Sequence, residues 1–160
     1  MSQLAQFFLV DRDRLPELVA SAEPKRKLFG KSKSTFPETF DATARELDDD
    51  FAWSGYYFGV LVVYLDEKGT RLIGPEVEDA SAALTEARGA TTFVFTPADK
   101  AHLAQLDPAA HDEDELRHFF EEFNEEAEPD AGRAMKDALA ALHSRIGDLD
   151  DSTVLLLVVG

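Results

Sequence analysis

Three consecutive aspartates, Asp48–Asp50, and the carboxylates beside two histidines have the spacing that comes closest to a chemical site. Paired carboxylates can hold magnesium, or divide acid and base roles when their environments differ. Neighbouring helical residues point in different directions, however, so Asp48–Asp50 would need partners from elsewhere in the fold. His111 stands beside Asp112, and His118 follows Glu115 by three residues, but carboxylate density alone binds hard cations weakly. We therefore predict no catalytic residue and no metal site.

Three aromatic residues just after the aspartates form a second group of interest: Trp53, Tyr56 and Tyr57. Each has an apolar ring with a polar tip, which suits a packed core and a ligand pocket equally well. On a helix the three rings would cover more than one face, so at least one should meet a pocket, an interface or the sheet. They are our candidate ligand-pocket residues, at a cleft shared with Asp48–Asp50.

Several chemistries are excluded because the residues they require are missing. The chain has no cysteine, which rules out thiolate nucleophiles, disulfides, iron–sulfur clusters and thiolate-ligated zinc. His-Glu-x-x-His, Gly-x-Ser-x-Gly and Ser-x-x-Lys motifs are absent. The basic Lys25–Thr35 stretch lacks the glycine frame of a phosphate-binding P-loop. We predict that the protein carries no cofactor.

The strongest signal in the chain is electrostatic. Eleven of the residues from Asp107 to Asp130 are carboxylates, opposed only by Arg117, so this segment carries ten of the sixteen net negative charges. Four apolar residues recur within it at helical spacing: Leu116, Phe119, Phe120 and Phe123. The pattern predicts an amphipathic helix over Asp112–Ala127 with its rings facing the core and its acids facing water. The candidate partner-binding residues are Asp112, Glu115, Glu122 and Glu126.

The apolar spacing predicts one helix-rich α+β domain over residues 1–160, with a small mixed sheet that includes the N-terminal and C-terminal strands. The predicted strands are Leu4–Val10, Thr91–Thr96 and Thr153–Val159, the last buried on both faces. The predicted helices are Leu15–Ala22, Phe36–Asp50, Val77–Arg88, Ala101–Leu106, Asp112–Ala127 and Ala131–Ile146. Asp11 or Asp13 should cap the first helix. Thr96 should cap the helix whose body is Ala101–Leu106, and Gly147 should end the last helix in a left-handed conformation.

Two segments leave alternatives open. The run from Phe51 to Leu65 fits a broad helical face, but Val60–Leu65 also fits a buried strand in a hairpin. Its length and the preceding aspartates favour the helix. The Lys25–Thr35 loop holds the one concentration of positive charge, which suits a surface loop or an anion contact.

The overall charge and hydropathy limit the classes of partner. A net charge of −16 disfavours nucleic acid, because phosphate binding depends on Lys and Arg, and it favours a basic protein partner. The longest uncharged run, Phe51 to Leu65, is shorter than the ~20 residues that cross a bilayer. The N-terminus has no basic lead-in and no small-residue cleavage site, which argues against a signal peptide. We expect a cytoplasmic protein without membrane contact.

The order of elements resembles the YfbM-like family of small bacterial proteins of unknown function. The resemblance depends first on the opening strand Gln6–Asp11, which leads into a leucine-bearing helix. It depends next on the central segment with Leu47 and Trp53, which is followed by an apolar aromatic helix and then by Leu72-Ile73-Gly74. It also depends on Phe93–Pro97, the helices after it and the closing Thr153–Gly160. It implies an α+β fold in which the Trp53 helix packs on a small sheet. It also implies a family without an assigned catalytic residue.

Three functional hypotheses follow. The first is a non-enzymatic protein-binding module whose acidic helix meets a basic protein, as an inhibitor or immunity-type protein would. The alternative is a small-molecule binder or enzyme with a cleft near Trp53 and Asp48–Asp50. In the third, the acidic surface is an adaptation to salt and the function lies elsewhere. Nothing in the sequence predicts an oligomeric state.

Overall fold

The structure, a computed structural model, describes residues 3–23 and 34–160. Its described strands form one four-stranded sheet in the spatial order β2-β1-β4-β3. Their bounds are Ala5–Asp11 (β1), Ala44–Leu47 (β2), Thr91–Phe95 (β3) and Thr153–Val159 (β4). The predicted α+β class, with the N-terminal and C-terminal strands in the sheet, is confirmed. The sheet is antiparallel at every junction between these strands, which corrects the expectation of a mixed sheet.

The helices pack on both faces of this sheet. The α-helices are Leu15–Ala22 (α1), Phe36–Thr43 (α2), Tyr56–Glu67 (α3), Pro75–Arg88 (α4), Leu103–Leu106 (α5), Glu113–Asn124 (α6) and Ala131–Gly147 (α7). Short 3-10 helices occur at Arg12–Arg14, Pro97–His102 and Pro108–Ala110. One apolar cluster joins α3, α5, α6 and α7 to the sheet, and a second joins α1, α2 and α4 to its other face.

Strand β4 lies between β1 and β3 and joins these two clusters. Leu155, Leu157 and Val159 belong to the first cluster, whereas Val154, Leu156 and Val158 belong to the second. This alternation follows from the two-residue period of a strand. Because both faces of β4 are covered by helices, its run of apolar residues is continuous, as predicted.

The helix predicted over Phe36–Asp50 is wrong beyond Thr43. Ala44–Leu47 instead forms β2, which pairs with Phe7–Val10 of β1. The hydrogen-bonding edge of β1 therefore outweighs the local helical preference of this short segment. Asp48–Asp50 consequently follows a strand and lies in a connection, outside any helix.

The ambiguity in the aromatic run is resolved in favour of a helix. Val60–Leu65 lies within α3, which begins at Tyr56, later than the predicted helical face. Gly55 precedes it where a Cβ would lie 3.1 Å from the Ala5 backbone nitrogen. The backbone N–H of Gly55 donates to the Gln3 carbonyl at 2.7 Å. This close approach fixes the start of α3 against the beginning of β1.

Of the predicted helix ends, the Thr96 cap is confirmed, whereas those at the first and last helices are wrong. The Thr96 hydroxyl accepts from the Ala98 N–H at 3.3 Å, and Asp99 accepts from the Thr96 N–H at 2.9 Å, so the predicted cap is confirmed. Neither predicted cap of the first helix forms, because Asp11 makes no capping hydrogen bond and Arg14 occupies the cap position of α1. Gly147 is not left-handed, because the backbone stays right-handed through Asp148.

Helix α4 covers the outer edge of β3. The backbone N–H of Thr92 donates to the Thr85 hydroxyl at 2.9 Å, and that of Val94 donates to the Ser81 hydroxyl at 3.2 Å. The Thr85 hydroxyl in turn donates to the Thr92 carbonyl at 3.3 Å. Ser81 and Thr85 are four residues apart on one helical face, so their hydroxyls replace hydrogen bonds that another strand would supply.

The predictions of a basic loop and of no membrane contact can be compared with the structure only over the described residues. The basic Lys25–Thr35 segment lies outside them except for Ser34 and Thr35. Within residues 3–23 and 34–160, none of the helices combines the length and apolar character that crossing a bilayer requires.

Candidate functional site

Two of the three predicted ligand-pocket aromatics, Tyr56 and Tyr57, lie in α3, and Trp53 lies just before it; all three contact α6 or α7. Tyr57 is buried and stacks on Phe120 of α6 with ring centroids 4.7 Å apart. The Tyr56 hydroxyl donates to Asn124 Oδ1 at 2.6 Å, and the Trp53 indole N–H donates to Asp137 Oδ2 at 2.8 Å. Burial, followed by the charges of nearby acids, raises the pKa of Tyr57, which keeps its hydroxyl neutral. These contacts give the three rings a packing role.

A polar depression does lie beside the aspartates, with a volume of about 510 Å³. Asp49 and Asp50 line it together with Asp137, Ser144 and Arg145. The Arg145 guanidinium donates to the backbone carbonyl of Asp48, so this cation is already engaged. The residues lining the depression include no histidine or lysine, and Trp53, Tyr56 and Tyr57 are not among them. The depression therefore offers carboxylates and the Ser144 hydroxyl, with no imidazole beside them among its lining residues.

The side chains around His111 are held by partners within the protein. His111 Nδ1 lies 3.2 Å from the Tyr64 hydroxyl, and its Nε2 lies 2.5 Å from the Gln105 carbonyl oxygen. Accepting from Tyr64 and donating to Gln105 would satisfy both ring nitrogens of a neutral imidazole. Across the described residues, no group of three or more His, Asp and Glu side chains is arranged to hold a metal ion.

Two of the four predicted partner-binding acids have structural roles. The Asp112 carboxylate caps α6 by accepting from the N–H groups of Asp114 at 2.8 Å and Glu115 at 3.2 Å. Glu115 forms an ion pair with Lys68, the residue that follows α3. Arg117, the one cation on α6, lies 3.6 Å from both Asp114 and Glu121. Asp114 and Glu115 therefore have a cation beside them and Asp112 has backbone donors, whereas Glu113 forms no ion pair within the described residues.

The C-terminal half of α6 presents a different surface, which we call the acidic patch: Glu122, Phe123, Glu125 and Glu126. All four residues are exposed. Within the part of the chain that the structure describes, no Lys or Arg forms an ion pair with these glutamates. The predicted residues Glu122 and Glu126 thus lie together, at the opposite end of the helix from Asp112 and Glu115.

Phe123 corrects the prediction that all the phenyl rings of α6 face the core. Leu116 and Phe120 are buried, and Phe119 is partly buried, but Phe123 keeps 48% of its surface exposed. Its ring stacks on Phe119 with centroids 6.2 Å apart, so it extends the buried aromatic row into solvent. Sequence spacing alone could not distinguish Phe123 from its buried neighbours, because all four share one helical face.

The acidic patch also lies where negative charge is locally unfavourable. The C-terminus of a helix carries a partial negative charge from its unsatisfied carbonyl groups. Glu125 ends α6 with a φ of 55°, a left-handed conformation that a non-glycine residue rarely adopts. The Glu126 N–H donates to the Glu121 carbonyl at 3.2 Å in the same turn. The patch therefore combines an exposed ring, unpaired acids and a strained backbone.

A second surface, assembled from α3, α4 and β3, was not predicted at all. It is a groove of about 720 Å³ with Val63, Ile73 and Phe93 among its apolar lining residues. These residues come from three separated segments, so no local pattern could have revealed it. One signal was present in the sequence: Val62 and Val63 give α3 an apolar side beyond the face that packs on the sheet.

No protein-family model matches the chain, and neither curated proteins nor solved structures give a match. The resemblance to the YfbM-like family stays a prediction.

Proposed function

We propose that this chain is a non-enzymatic protein-binding module that engages a basic protein through the acidic patch at the C-terminal end of α6. The observation that carries the proposal is Phe123, an exposed ring beside three glutamates that lack an ion pair within the described residues. Protein interfaces commonly place an aromatic residue at the centre and charged residues at the rim.

The electrostatics support a basic partner in particular. With a net charge of −16, the molecule would attract a positively charged protein over a distance and repel nucleic acid. Lysines or arginines of the partner could pair with Glu122 and Glu126 while an apolar group covers Phe123. Such pairing would offset the unfavourable position of these acids at the negative end of α6. An inhibitor or immunity-type role in the cytoplasm is the form of this proposal that we favour.

The competing proposal, a small-molecule binder or enzyme near Trp53 and Asp48–Asp50, has weaker support. The depression beside Asp49 and Asp50 exists, but Trp53, Tyr56 and Tyr57 do not line it. The polar groups of Trp53 and Tyr56 already have partners in the protein. We therefore rank protein binding first.

The test is a binding measurement on the intact chain. A basic protein recovered from extract at low ionic strength would be purified and titrated against wild type, Phe123→Ala and the double variant Glu122→Lys/Glu126→Lys. Truncating a central aromatic residue should weaken binding by about thirtyfold, or about 2 kcal/mol. The double charge reversal should weaken it further and reduce its dependence on salt.

A matched control separates a specific site from general attraction to an acidic surface. Glu67→Lys/Asp79→Lys makes the same change in net charge at exposed positions on α3 and α4. This control should bind within a few-fold of wild type. Failure to retain any basic protein would contradict the proposal. Equal losses in the control and in Glu122→Lys/Glu126→Lys, with Phe123→Ala unchanged, would contradict it as well.

A further inference from the structure

The groove between α3, α4 and β3 has an apolar floor at the edge of the core. Val62 and Val63 come from α3, Leu72 and Ile73 from the connection to α4, and Phe93 from β3. Val63 keeps 37% of its surface exposed, and Ile73 and Phe93 are partly exposed. A volume of about 720 Å³ lies in the range of small-molecule sites, roughly 300–1,000 Å³.

Four hydroxyl-bearing residues line the groove, and three of them form hydrogen bonds within the protein; the fourth is the exposed Thr91. Ser81 and Thr85 accept from the backbone of β3, and the Thr92 hydroxyl donates to the Ala90 carbonyl at 3.0 Å. A ligand therefore cannot be recognised chiefly through these groups without breaking the contacts that cover the strand edge. The charged side chains at the rim and the Thr91 hydroxyl remain as the polar determinants.

Those rim charges are unbalanced. The charged lining residues are Asp66, Glu78 and Glu86, opposed by Arg71. Arg71 Nη2 lies 3.4 Å from Glu78 Oε2, so this guanidinium pairs with one of the three acids. Within the described residues, Asp66 and Glu86 have no Lys or Arg at ion-pair distance. The rim thus presents two carboxylates above an apolar floor.

We propose that this groove binds a small amphiphilic cation, with its hydrocarbon body on Val63, Ile73 and Phe93 and its ammonium group at Asp66 or Glu86. The apolar floor would supply affinity by removing hydrocarbon from water. The carboxylates would supply the preference for positive charge and would repel a fatty acid or another amphiphilic anion. This site uses none of the residues of the acidic patch, so either proposal can fail without the other.

The test compares three eight-carbon probes of matched shape, n-octylammonium, n-octanol and n-octanoate, with the shorter n-propylammonium. Each is titrated into the full chain while methyl resonances of Val63 and Ile73 are followed by NMR. Octylammonium should saturate these shifts and bind at least about tenfold more tightly than octanoate. It should also bind at least about tenfold more tightly than propylammonium, because each buried methylene contributes about fourfold.

Two variants test whether the probes bind in the groove. Ala82 is an exposed lining residue of α4, so Ala82→Trp should fill the groove and abolish saturation without disturbing the core. Asp66→Lys/Glu86→Lys should reverse the preference between octylammonium and octanoate, whereas Glu67→Lys/Asp79→Lys should preserve it. The proposal is overturned if octanoate binds as tightly as octylammonium to wild type, or if the shifts do not saturate. It is equally overturned if the preference survives Asp66→Lys/Glu86→Lys.

Discussion

Replacing Asp99 with asparagine should change how the stability of the protein depends on pH. Asp99 is only 6% exposed and accepts from the Thr96 N–H at 2.9 Å. Burial is the main cause that raises its pKa from 3.8 to about 6, and Glu76 adds to the shift, whereas the Thr96 hydrogen bond and His102 act in the opposite direction. An asparagine Oδ1 can keep the hydrogen bond but cannot ionise.

The magnitude follows from the difference between the folded and unfolded pKa values. Between pH 3.8 and about 6 the folded state holds a proton that the unfolded state has lost, so the free energy of unfolding falls as pH rises. A shift of this size corresponds to about 3 kcal/mol in the free energy of unfolding. This contribution is present below pH 3.8 and is fully lost above the folded pKa. Asp99→Asn should therefore match wild type near pH 4 and exceed it by up to about 3 kcal/mol at pH 7.5.

Urea unfolding followed by the fluorescence of Trp53, the single tryptophan, measures this difference. Asp150→Asn is a control of opposite sign, because hydrogen bonds from Ser152 lower the pKa of Asp150. That variant should be less stable than wild type at pH 7.5, and the gap should close as pH falls through the lowered pKa. A stability difference between Asp99→Asn and wild type that is the same at pH 4 and pH 7.5 would refute the reasoning.

Two further predictions concern the backbone around α6. Gly132→Ala should lower the free energy of unfolding by about 1–3 kcal/mol, because its Cβ would lie 2.7 Å from Glu113 Cγ and closer still to the Glu113 carbonyl oxygen. The matched change Gly59→Ala meets no atom within 4 Å and should stabilise α3 by about 0.5–1 kcal/mol; equal effects in a urea titration would contradict this contrast. Glu125→Gly should raise stability by about 1 kcal/mol, because glycine adopts the left-handed conformation without strain. An unchanged or lower melting temperature would show that Glu125 is not strained.

Elements that bury a regular apolar pattern could be predicted from the sequence. The run from Val154 to Val159 has no polar interruption, so it predicted a strand covered on both faces. The spacing of Met135, Leu139, Leu142 and Ile146 similarly identified the buried side of α7, where all four are buried. In both cases the local pattern and the tertiary packing point to the same structure.

Features that depend on a distant partner could not be predicted. Ala44–Leu47 is too short and too polar to predict a strand, and it forms one because Phe7 and its neighbours offer a hydrogen-bonding edge. The acids of the candidate site were visible in the sequence, but the exposure of Phe123 depends on where the packing between α6 and its neighbours ends. The α3–α4–β3 groove depends on how three separated segments meet.

The hydroxyl pair on α4 has a consequence for self-association. A β-strand with an open side can template the addition of another chain, which is how many sheets grow into fibrils. Ser81 and Thr85 occupy the donors of Thr92 and Val94 on that side of β3. At the other extreme of the sheet, β2 is only four residues long and includes the charged residues Arg45 and Glu46. Both outer strands of the described sheet are thereby protected from pairing with strands of another molecule.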